Sequence, residues 1–257
     1  MKIIVKVGTS TLAYPSGRVN IRRFESLCRV ISDLSNAGHR IILVSSGAIG
    51  MGVGKLRLHE RPKDIAGKQA AAAVGQCELM YLYDKQFSEY NHTVAQLLLT
   101  APDLDCPDRL EKFKATLTRL TDYGTIPIIN ENDTVATEEI EFGDNDTLAA
   151  RVAAAAGGEL LVLLSDIDGL YDKDPRKNAD ARLITEVYEL TDEIMALGEG
   201  AGSSLGTGGM ATKLKAAKIA TNAGCEMIIA DGADPEILYR IVSGEAVGTR
   251  FYPEKKK

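Results

Sequence analysis

Short runs rich in valine, isoleucine and leucine alternate along the chain with longer stretches whose apolar residues recur at helical spacing. Most of the short runs are apolar at consecutive positions, which is typical of strands that are covered on both faces of a sheet. The predicted strands are Lys2–Val7, Arg40–Ser45, Val94–Leu99, Ile126–Asn130, Leu160–Ser165 and Met227–Ala230.

The helical pattern is clearest over Asn20–Ala37, where apolar residues recur every three or four positions. Asn20 is a suitable N-cap, and Gly38 suits the position just past the C-terminus. Further helices are predicted over Asp64–Tyr90, Asp108–Tyr123, Asp144–Ala156 and Met210–Ala223. Strands separated by helices imply right-handed crossovers. The expected fold class is therefore α/β, a three-layer α/β/α sandwich around a mainly parallel sheet.

Composition narrows the classes of protein to consider. The 257 residues are 45% hydrophobic and 26% charged, enough for a packed core in one large domain or two small ones. No linker or composition shift marks a boundary, so we expect a single domain over residues 1–257. The net charge of -6 argues against a nucleic-acid partner. The start of the chain resembles a strand and not a signal peptide, and no apolar run is long enough for a membrane span, so we expect a cytoplasmic protein.

Cysteine and histidine are too scattered to form a reactive centre. The four cysteines include no C-x-x-C pair, and the three histidines include no H-E-x-x-H motif. This spacing argues against a disulfide framework, a zinc site and a histidine-centred triad.

In an open parallel sheet, ligands bind at the carboxyl ends of the strands. The first predicted strand contains Lys6, which is followed by Gly8, Thr9 and Ser10. A lysine in an apolar strand is costly to bury unless it meets an anion, and the residues after it offer amides and hydroxyls. A lysine at the strand edge that reaches solvent is an equally good interpretation.

The second predicted strand leads into the glycine-rich stretch Ser45–Gly54. Glycines permit a positive φ and a close backbone approach to a ligand. The two serines at the strand exit favour a small-ligand site over the alternative, a flexible connector. The spacing is not G-x-G-x-x-G, so a dinucleotide-binding fingerprint is excluded here.

Two polar loops, Asn130–Asp133 and Gly143–Asp146, follow the fourth predicted strand. Their amides and carboxylates could bind an ammonium group, a metal ion or both; the alternatives are a solvated acidic loop and a simple helix cap. We favour a binding site because Asp146 is expected at a helix N-terminus, at the same sheet edge as Lys6 and Ser46.

Another acidic loop, Ser165–Pro175, leaves the fifth predicted strand. Its alternating aspartates do not have the glycine and glutamate spacing of an EF-hand. This stretch could be a loop that contacts a nucleotide or simply a tight acidic turn, and its sequence fits both.

The most informative stretch is Gly206–Leu214, where a glycine-rich loop runs into a helix. Free N–H groups and the helix dipole make such a start an anion cradle, and Lys213 adds a full charge. The spacing is not that of a Walker A loop. An ordinary helix start is the alternative, but we favour phosphate binding. Two lysines, a phosphate cradle and a carboxylate–amide cluster together suit phosphoryl transfer.

These motifs in combination resemble the amino acid kinase family, whose fold is also that of carbamate kinase. Within the family the match is to members that phosphorylate the γ-carboxylate of L-glutamate. The motifs are Val5–Ser10, Ser45–Ala48, Ile129–Asp133, Gly143–Asp146 and Gly206–Lys213. The resemblance implies ATP and Mg²⁺ as co-substrates and L-glutamyl 5-phosphate as the product, in the first step of proline biosynthesis.

The resemblance also implies roles for individual residues. Lys6 and Lys213 would stabilise charge on the transferred phosphoryl group, and Asp146 would orient them. Ser46, Asp133 and Asn145 would hold glutamate. The implied ATP-binding residues are Lys6, Ser165, Asp166, Thr207, Gly208, Gly209, Met210, Ala211, Thr212 and Lys213. Ser165 stands where many relatives have threonine, and Ala211 where some have serine, so a side-chain phosphate contact is lost at Ala211.

The same resemblance divides the domain into a glutamate-binding part, roughly 1–155, and an ATP-binding part, roughly 156–257. It implies feedback inhibition by proline and a homo-oligomer, a dimer or a tetramer. Many relatives carry a C-terminal RNA-binding-type (PUA) domain, and we expect none here. The alternatives are a related kinase for acetylglutamate, aspartate, carbamate or UMP, and a catalytically silent amino-acid sensor. A dehydrogenase is disfavoured by the missing fingerprint.

Overall fold

In a computed structural model of the chain, described for residues 1–14, 18–136, 145–198 and 209–253, the elements alternate as the sequence predicts. The strands are β1 Lys2–Val7, β2 Arg40–Ser45, β3 Val94–Leu99, β4 Ile126–Glu131, β5 Leu160–Ser165, β6 Leu170–Tyr171, β7 Leu183–Ile184, β8 Glu186–Val187, β9 Glu226–Asp231 and β10 Thr249–Phe251. The helices are α1 Thr9–Leu12, α2 Ile21–Asn36, α3 Ala48–Lys55, α4 Ile65–Ser88, α5 Ala101–Asp105, α6 Pro107–Asp122, α7 Asn145–Ala156, α8 Asp192–Ala196, α9 Met210–Asn222 and α10 Ile237–Val242.

The main sheet has eight strands in the order β3-β4-β2-β1-β5-β9-β10-β8. Every neighbouring pair is parallel except β9 and β10, which are antiparallel. All six predicted strands are present, and β4 and β9 extend slightly beyond the predicted bounds. The prediction of a mainly parallel sheet is confirmed. The short strands β8 and β10 at one edge lie outside the sequence prediction.

Helices cover both faces of this sheet, which confirms the three-layer sandwich. Along β1, Ile4 packs into one apolar core, together with residues of α6, α7 and α9. Ile3 and Val5 face the opposite core, which is formed with α2 and α4. Consecutive strand side chains point to opposite faces, so a strand buried on both sides is apolar at every position. This explains the unbroken apolar runs in the sequence.

The second helix begins and ends as its sequence indicates. The side chain of Asn20 accepts a hydrogen bond from the backbone N–H of Arg23, and Ala37 is the C-cap. Gly38 follows with a φ of 91°, a conformation that glycine adopts without strain.

The glycine-rich stretch after β2 differs from the prediction, because most of it is helical. Only Gly47 has a positive φ, 106°, and α3 begins directly after it. A Cβ at Gly52 would lie 1.8 Å from the carbonyl oxygen of Ala71, and one at Gly75 would lie 1.7 Å from that of Ala48. These glycines therefore allow α3 and α4 to pack with their backbones in contact. The expectation of a glycine-rich loop is therefore wrong over Ala48–Lys55, which is helical.

The acidic loop after β5 leads into a small two-stranded antiparallel sheet, β6 and β7. Within this turn, the Asp168 carboxylate accepts a hydrogen bond from the Tyr171 hydroxyl at 3.0 Å. Among the helices in the described ranges, none is long and apolar enough to cross a membrane.

Candidate active site

Two lysines and one aspartate meet at the carboxyl edge of the sheet. Asp146 Oδ1 lies 2.6 Å from Lys6 Nζ, and Asp146 Oδ2 lies 2.9 Å from Lys213 Nζ. The exposed fraction of the side chain is only 11% for Lys6, 1% for Asp146 and 5% for Lys213. The structure thus joins residues that are far apart in the chain into one buried ionic cluster.

Three different elements bring the cluster together. Lys6 lies in the central strand β1, while Asp146 and Lys213 lie in the first turns of α7 and α9. These two helices pack against each other on one face of the sheet, so both N-termini lie close to the end of β1. Thr212 adds a further contact, because its hydroxyl donates to Asp146 Oδ2 at 3.2 Å.

The cluster keeps Asp146 ionised. Burial alone would raise the pKa of this carboxyl, but the charges and hydrogen bonds of Lys6 and Lys213 outweigh that effect and lower the pKa to about 2. Two ammonium groups therefore lie close together around one carboxylate, and little of any of the three side chains is exposed. Such a centre favours an anion that bears several negative charges.

The start of α9 offers a second set of anion-binding groups beside the cluster. Gly209 is the N-cap and gives no side-chain cap hydrogen bond, and Met210, Ala211 and Thr212 form the first turn. The N–H groups of a first helical turn and the helix dipole favour phosphate. Thr207 and Gly208, which the sequence also assigns to this cradle, lie outside the described residues.

A network of neutral side chains lies next to the ionic cluster, where Asn145 directly precedes Asp146. The amide nitrogen Nδ2 of Asn145 donates to Ser46 Oγ at 2.8 Å and to the backbone oxygen of Ser45 at 3.2 Å. It also lies 3.0 Å from Asn130 Oδ1. Ser46 thus lies within hydrogen-bond distance of Asn145, the residue next to Asp146, and Asp146 meets Lys6 at the same sheet edge, as the sequence predicts.

The network continues into the core to Gln76 and Tyr83, two residues that the sequence analysis did not identify as site residues. Asn130 Nδ2 donates to Gln76 Oε1 at 2.9 Å, and both side chains are buried. Below Ser46, Ser45 Oγ shares a hydrogen bond of 2.9 Å with the Tyr83 hydroxyl. Gln76 is a polar residue within an otherwise apolar helix face, which is the one signal in the sequence that could have indicated its role.

The remaining predicted residues follow neighbouring strands. Asp133 is partly buried in the turn after β4. Ser165 ends β5, the strand beside β1, and its hydroxyl lies 3.2 Å from Asp166 Oδ1. Ser165 is buried and Asp166 is exposed. This serine–aspartate pair lies at the same sheet edge as Lys6, so the structure brings it to the side of the sheet where the ionic cluster lies.

Among the described residues, no three histidine, cysteine or acidic side chains lie close enough together to hold a metal ion by themselves. Both carboxylate oxygens of Asp146 are engaged by lysines. Mg²⁺ commonly binds through one or two carboxylates together with the phosphates of a substrate. The described residues fit a metal ion that arrives bound to the phosphates of a nucleotide.

The fold is that of a known class of proteins. The model of the amino acid kinase family matches residues 1–231, and the chain belongs to this family. A solved structure of UMP kinase from Bacillus anthracis is similar, with a TM-score of 0.66 and 14% identity, covering 99% of this chain and 96% of the other. At that identity the likeness shows the fold alone.

Several curated proteins have much higher sequence identity to this chain, and each of them is named glutamate 5-kinase. The relative from Clostridium perfringens is 54% identical over 99% of this chain and 96% of its own length. The relative from Carboxydothermus hydrogenoformans is 55% identical over 100% of this chain and 69% of its own length. A third, from Clostridium acetobutylicum, is 54% identical over 99% of this chain and 96% of its own length. The resemblance seen in the sequence motifs is confirmed.

Proposed function

We propose that the chain transfers the γ-phosphoryl group of ATP to the γ-carboxylate of L-glutamate, forming L-glutamyl 5-phosphate in the first step of proline biosynthesis. The observation that carries the proposal is the buried Lys6–Asp146–Lys213 cluster beside a neutral amide network. The identity to glutamate 5-kinases over nearly the whole chain supports glutamate as the acceptor.

The chemistry of the acceptor fits this residue set. A γ-carboxylate is ionised at neutral pH and is already a nucleophile, so no general base is needed. The main obstacle is repulsion between the carboxylate and the phosphates, which Lys6 and Lys213 would reduce. Asp146 would act as a positioning residue, because it holds both ammonium groups within 2.9 Å of its carboxylate. Preorganised charges of this kind stabilise a transferring phosphoryl group without reorganising during the reaction.

The two substrates would occupy neighbouring parts of the sheet edge. Ser46, Asp133 and Asn145 would bind glutamate, with Asp133 and Asn145 suited to its α-ammonium group. Lys6, Ser165 and Asp166 would contact ATP from the strand ends. From the start of α9, the contacts would come from Thr207, Gly208, Gly209, Met210, Ala211, Thr212 and Lys213. Mg²⁺ bound to the nucleotide would neutralise part of the phosphate charge.

Further properties belong to the same proposal and rest on the family resemblance. We infer a cytoplasmic enzyme that forms a homo-oligomer, a dimer or a tetramer, and that proline inhibits. We also infer that the glutamate site lies within residues 1–155 and most of the ATP site within 156–257, in one catalytic domain.

Trapping with hydroxylamine tests the reaction, because an acyl phosphate reacts with it to give a hydroxamate. The protein is incubated with ATP and Mg²⁺ and, in separate reactions, with L-glutamate, L-aspartate or N-acetyl-L-glutamate. We expect hydroxamate and ADP from glutamate only. Hydroxamate from one of the other acids but not from glutamate would indicate a related kinase. Glutamate binding without ADP release would indicate an amino-acid sensor. Proline added to the same assay tests the inhibition.

A further inference from the structure

Gln76 lies on the buried face of α4, between the apolar core and the proposed glutamate site. Leu79 and Phe87 of the same face are fully buried, and Gln76 is 9% exposed. Its carbonyl oxygen Oε1 accepts a hydrogen bond from Asn130 Nδ2. Its amide nitrogen Nε2 is buried and has no hydrogen-bond partner among the described residues. A buried donor without a partner is unfavourable for folding, so packing alone does not explain a glutamine here.

The orientation of the Asn130 amide is determined by a backbone donor. Asn130 Oδ1 accepts from the backbone N–H of Glu131 at 2.9 Å. A backbone N–H can only donate, so the carbonyl of Asn130 must face it and the amide nitrogen must face the opposite way. That nitrogen meets Gln76, which therefore has to present its carbonyl oxygen. The oxygen and nitrogen positions of both amides follow from this single fixed donor.

A backbone group also determines the orientation of the Asn145 amide. A backbone carbonyl can only accept, so the contact with the Ser45 oxygen requires Nδ2 of Asn145 on that side. Asn130 Oδ1 is a second acceptor on this side. The three side-chain hydrogen bonds that the structure gives Asn145 all start from Nδ2, so its carbonyl oxygen Oδ1 is the atom available to a ligand. A carbonyl oxygen only accepts hydrogen bonds, so it would recognise a donor such as an ammonium group.

We propose that Gln76 is a positioning residue that sets the specificity of the acceptor site for an amino acid. By accepting from Asn130, it anchors the nitrogen end of the Asn130 amide, whose oxygen end the Glu131 N–H already holds, and so keeps Asn130 Oδ1 in place to accept from Asn145 Nδ2. Asn145 Oδ1 then stays directed at the α-ammonium group of the substrate. Without this acceptor, the Asn130 amide keeps its orientation but is held only at its oxygen, so its side chain can shift away from Asn145 and the preference of the site for a donor weakens. This inference rests on the proposed function, because it assumes that Asn145 meets the amino-acid substrate.

The test replaces Gln76 with methionine, which has a similar shape but no strong acceptor, and with glutamate, which keeps one. Steady-state kinetics are measured by hydroxamate formation with L-glutamate and with glutarate, which lacks the ammonium group. For Gln76→Met we expect the KM for glutamate to rise about tenfold, as for the loss of one well-placed polar contact. We expect kcat and the KM for ATP to change less than about twofold, and the kcat/KM preference for glutamate over glutarate to fall about tenfold.

Gln76→Glu should restore most of the glutamate preference. Leu79→Val is the matched control, since it disturbs the same helix face without touching the amides; it should lower the Tm and leave both KM values unchanged. Gln76→Met removes one unpartnered buried donor but leaves the buried Asn130 Nδ2 without its acceptor, so we expect its Tm to fall no further than that of Leu79→Val. An unchanged preference in Gln76→Met, or an equal loss in Leu79→Val, would overturn the inference while wild-type turnover of glutamate keeps the proposed function intact. A wild-type protein inactive on glutamate would overturn both.

Discussion

The two halves of the candidate site use different kinds of interaction, although they lie side by side. On one side, Lys6 and Lys213 share the Asp146 carboxylate in a buried ionic cluster. On the other side, Asn145, Ser46 and Asn130 form a network of neutral hydrogen bonds. The charged half suits the phosphoryl group, whose charge changes during transfer. The neutral half suits a substrate that is recognised by the positions of its donors and acceptors.

Because the two halves interact with their substrates in different ways, substitutions in one half should affect kcat and substitutions in the other should affect KM. Charge placed where charge develops in a transition state affects the rate of the chemical step. Directional hydrogen bonds to a group far from the reacting atoms affect binding of substrate and transition state alike, and so act on KM. Each half can therefore be tested by removing a single side-chain group.

Removal of the Lys213 ammonium group should have the largest effect. For Lys213→Met we expect kcat to fall about 10³-fold, as for the loss of a preorganised group that stabilises transition-state charge. The KM for glutamate should change less than about threefold, because the amide network is untouched. Lys215→Met, on the exposed side of α9, is the control and should retain activity. An active Lys213→Met enzyme would remove Lys213 from the catalytic set.

Neutralisation of Asp146 should have the next largest effect, on folding. In Asp146→Asn, two buried ammonium groups lose their shared counterion, and we expect the free energy of unfolding to fall by about 3 kcal/mol. Urea denaturation at neutral pH measures this. Asp108→Asn removes the carboxylate of a surface ion pair whose side chains are both 74% exposed, so its effect should stay below about 1 kcal/mol. Equal losses in both variants would show that the buried cluster has no special stabilising role.

The pH dependence of stability should show a smaller effect of the same carboxylate. The pKa of Asp146 is about 2 in the folded chain and lies near 3.8 in an unfolded one. A depressed pKa stabilises the fold above the unfolded value, and this stabilisation is lost as the pH falls from about 4 to 2. We expect the wild type to lose about 2 kcal/mol through this group over that range. Asp146→Asn should lack this pH-dependent contribution. The free energies of unfolding of the wild type and of Asp146→Asn, measured against pH, should therefore converge in acid.

The sequence predicted the ionic half of the site better than the neutral half. Lys6, Asp146 and Lys213 each follow a recognisable signal, a charged residue in a strand or at a predicted helix start at the carboxyl edge of the sheet. Their convergence follows from parallel topology. Gln76 and Tyr83 act from within a helix whose face is otherwise apolar, and their partners are 54 and 38 residues away. The polar side chain of Gln76 is unusual on this face, but no local pattern identifies the partner of either residue.

Some elements of the fold are likewise not indicated by any local pattern in the sequence. The long apolar strands are predictable because burial on both faces leaves a continuous signal. The strands β8 and β10 have two and three residues, too few for any periodicity. Helix α3 is obscured by its glycines, which lower helix propensity but allow the close contact with α4 at Gly75. That contact depends on a residue from a different helix, so tertiary packing outweighs local propensity.

The smallest effect is expected for a substitution in the neutral half, Ser46→Ala. In Ser46→Ala, Asn145 loses one of three acceptors but keeps the Ser45 oxygen and Asn130 Oδ1, so its amide stays oriented. We expect the KM for glutamate to rise about fivefold, the equivalent of one neutral hydrogen bond of about 1 kcal/mol, with kcat unchanged. Steady-state hydroxamate assays measure both constants, and the exposed Ser243→Ala is the matched control. A large fall in kcat with an unchanged KM would place Ser46 at the reacting carboxylate, because only a contact specific to the transition state acts in that way. The division between a charged half that sets the rate and a neutral half that sets binding would then fail.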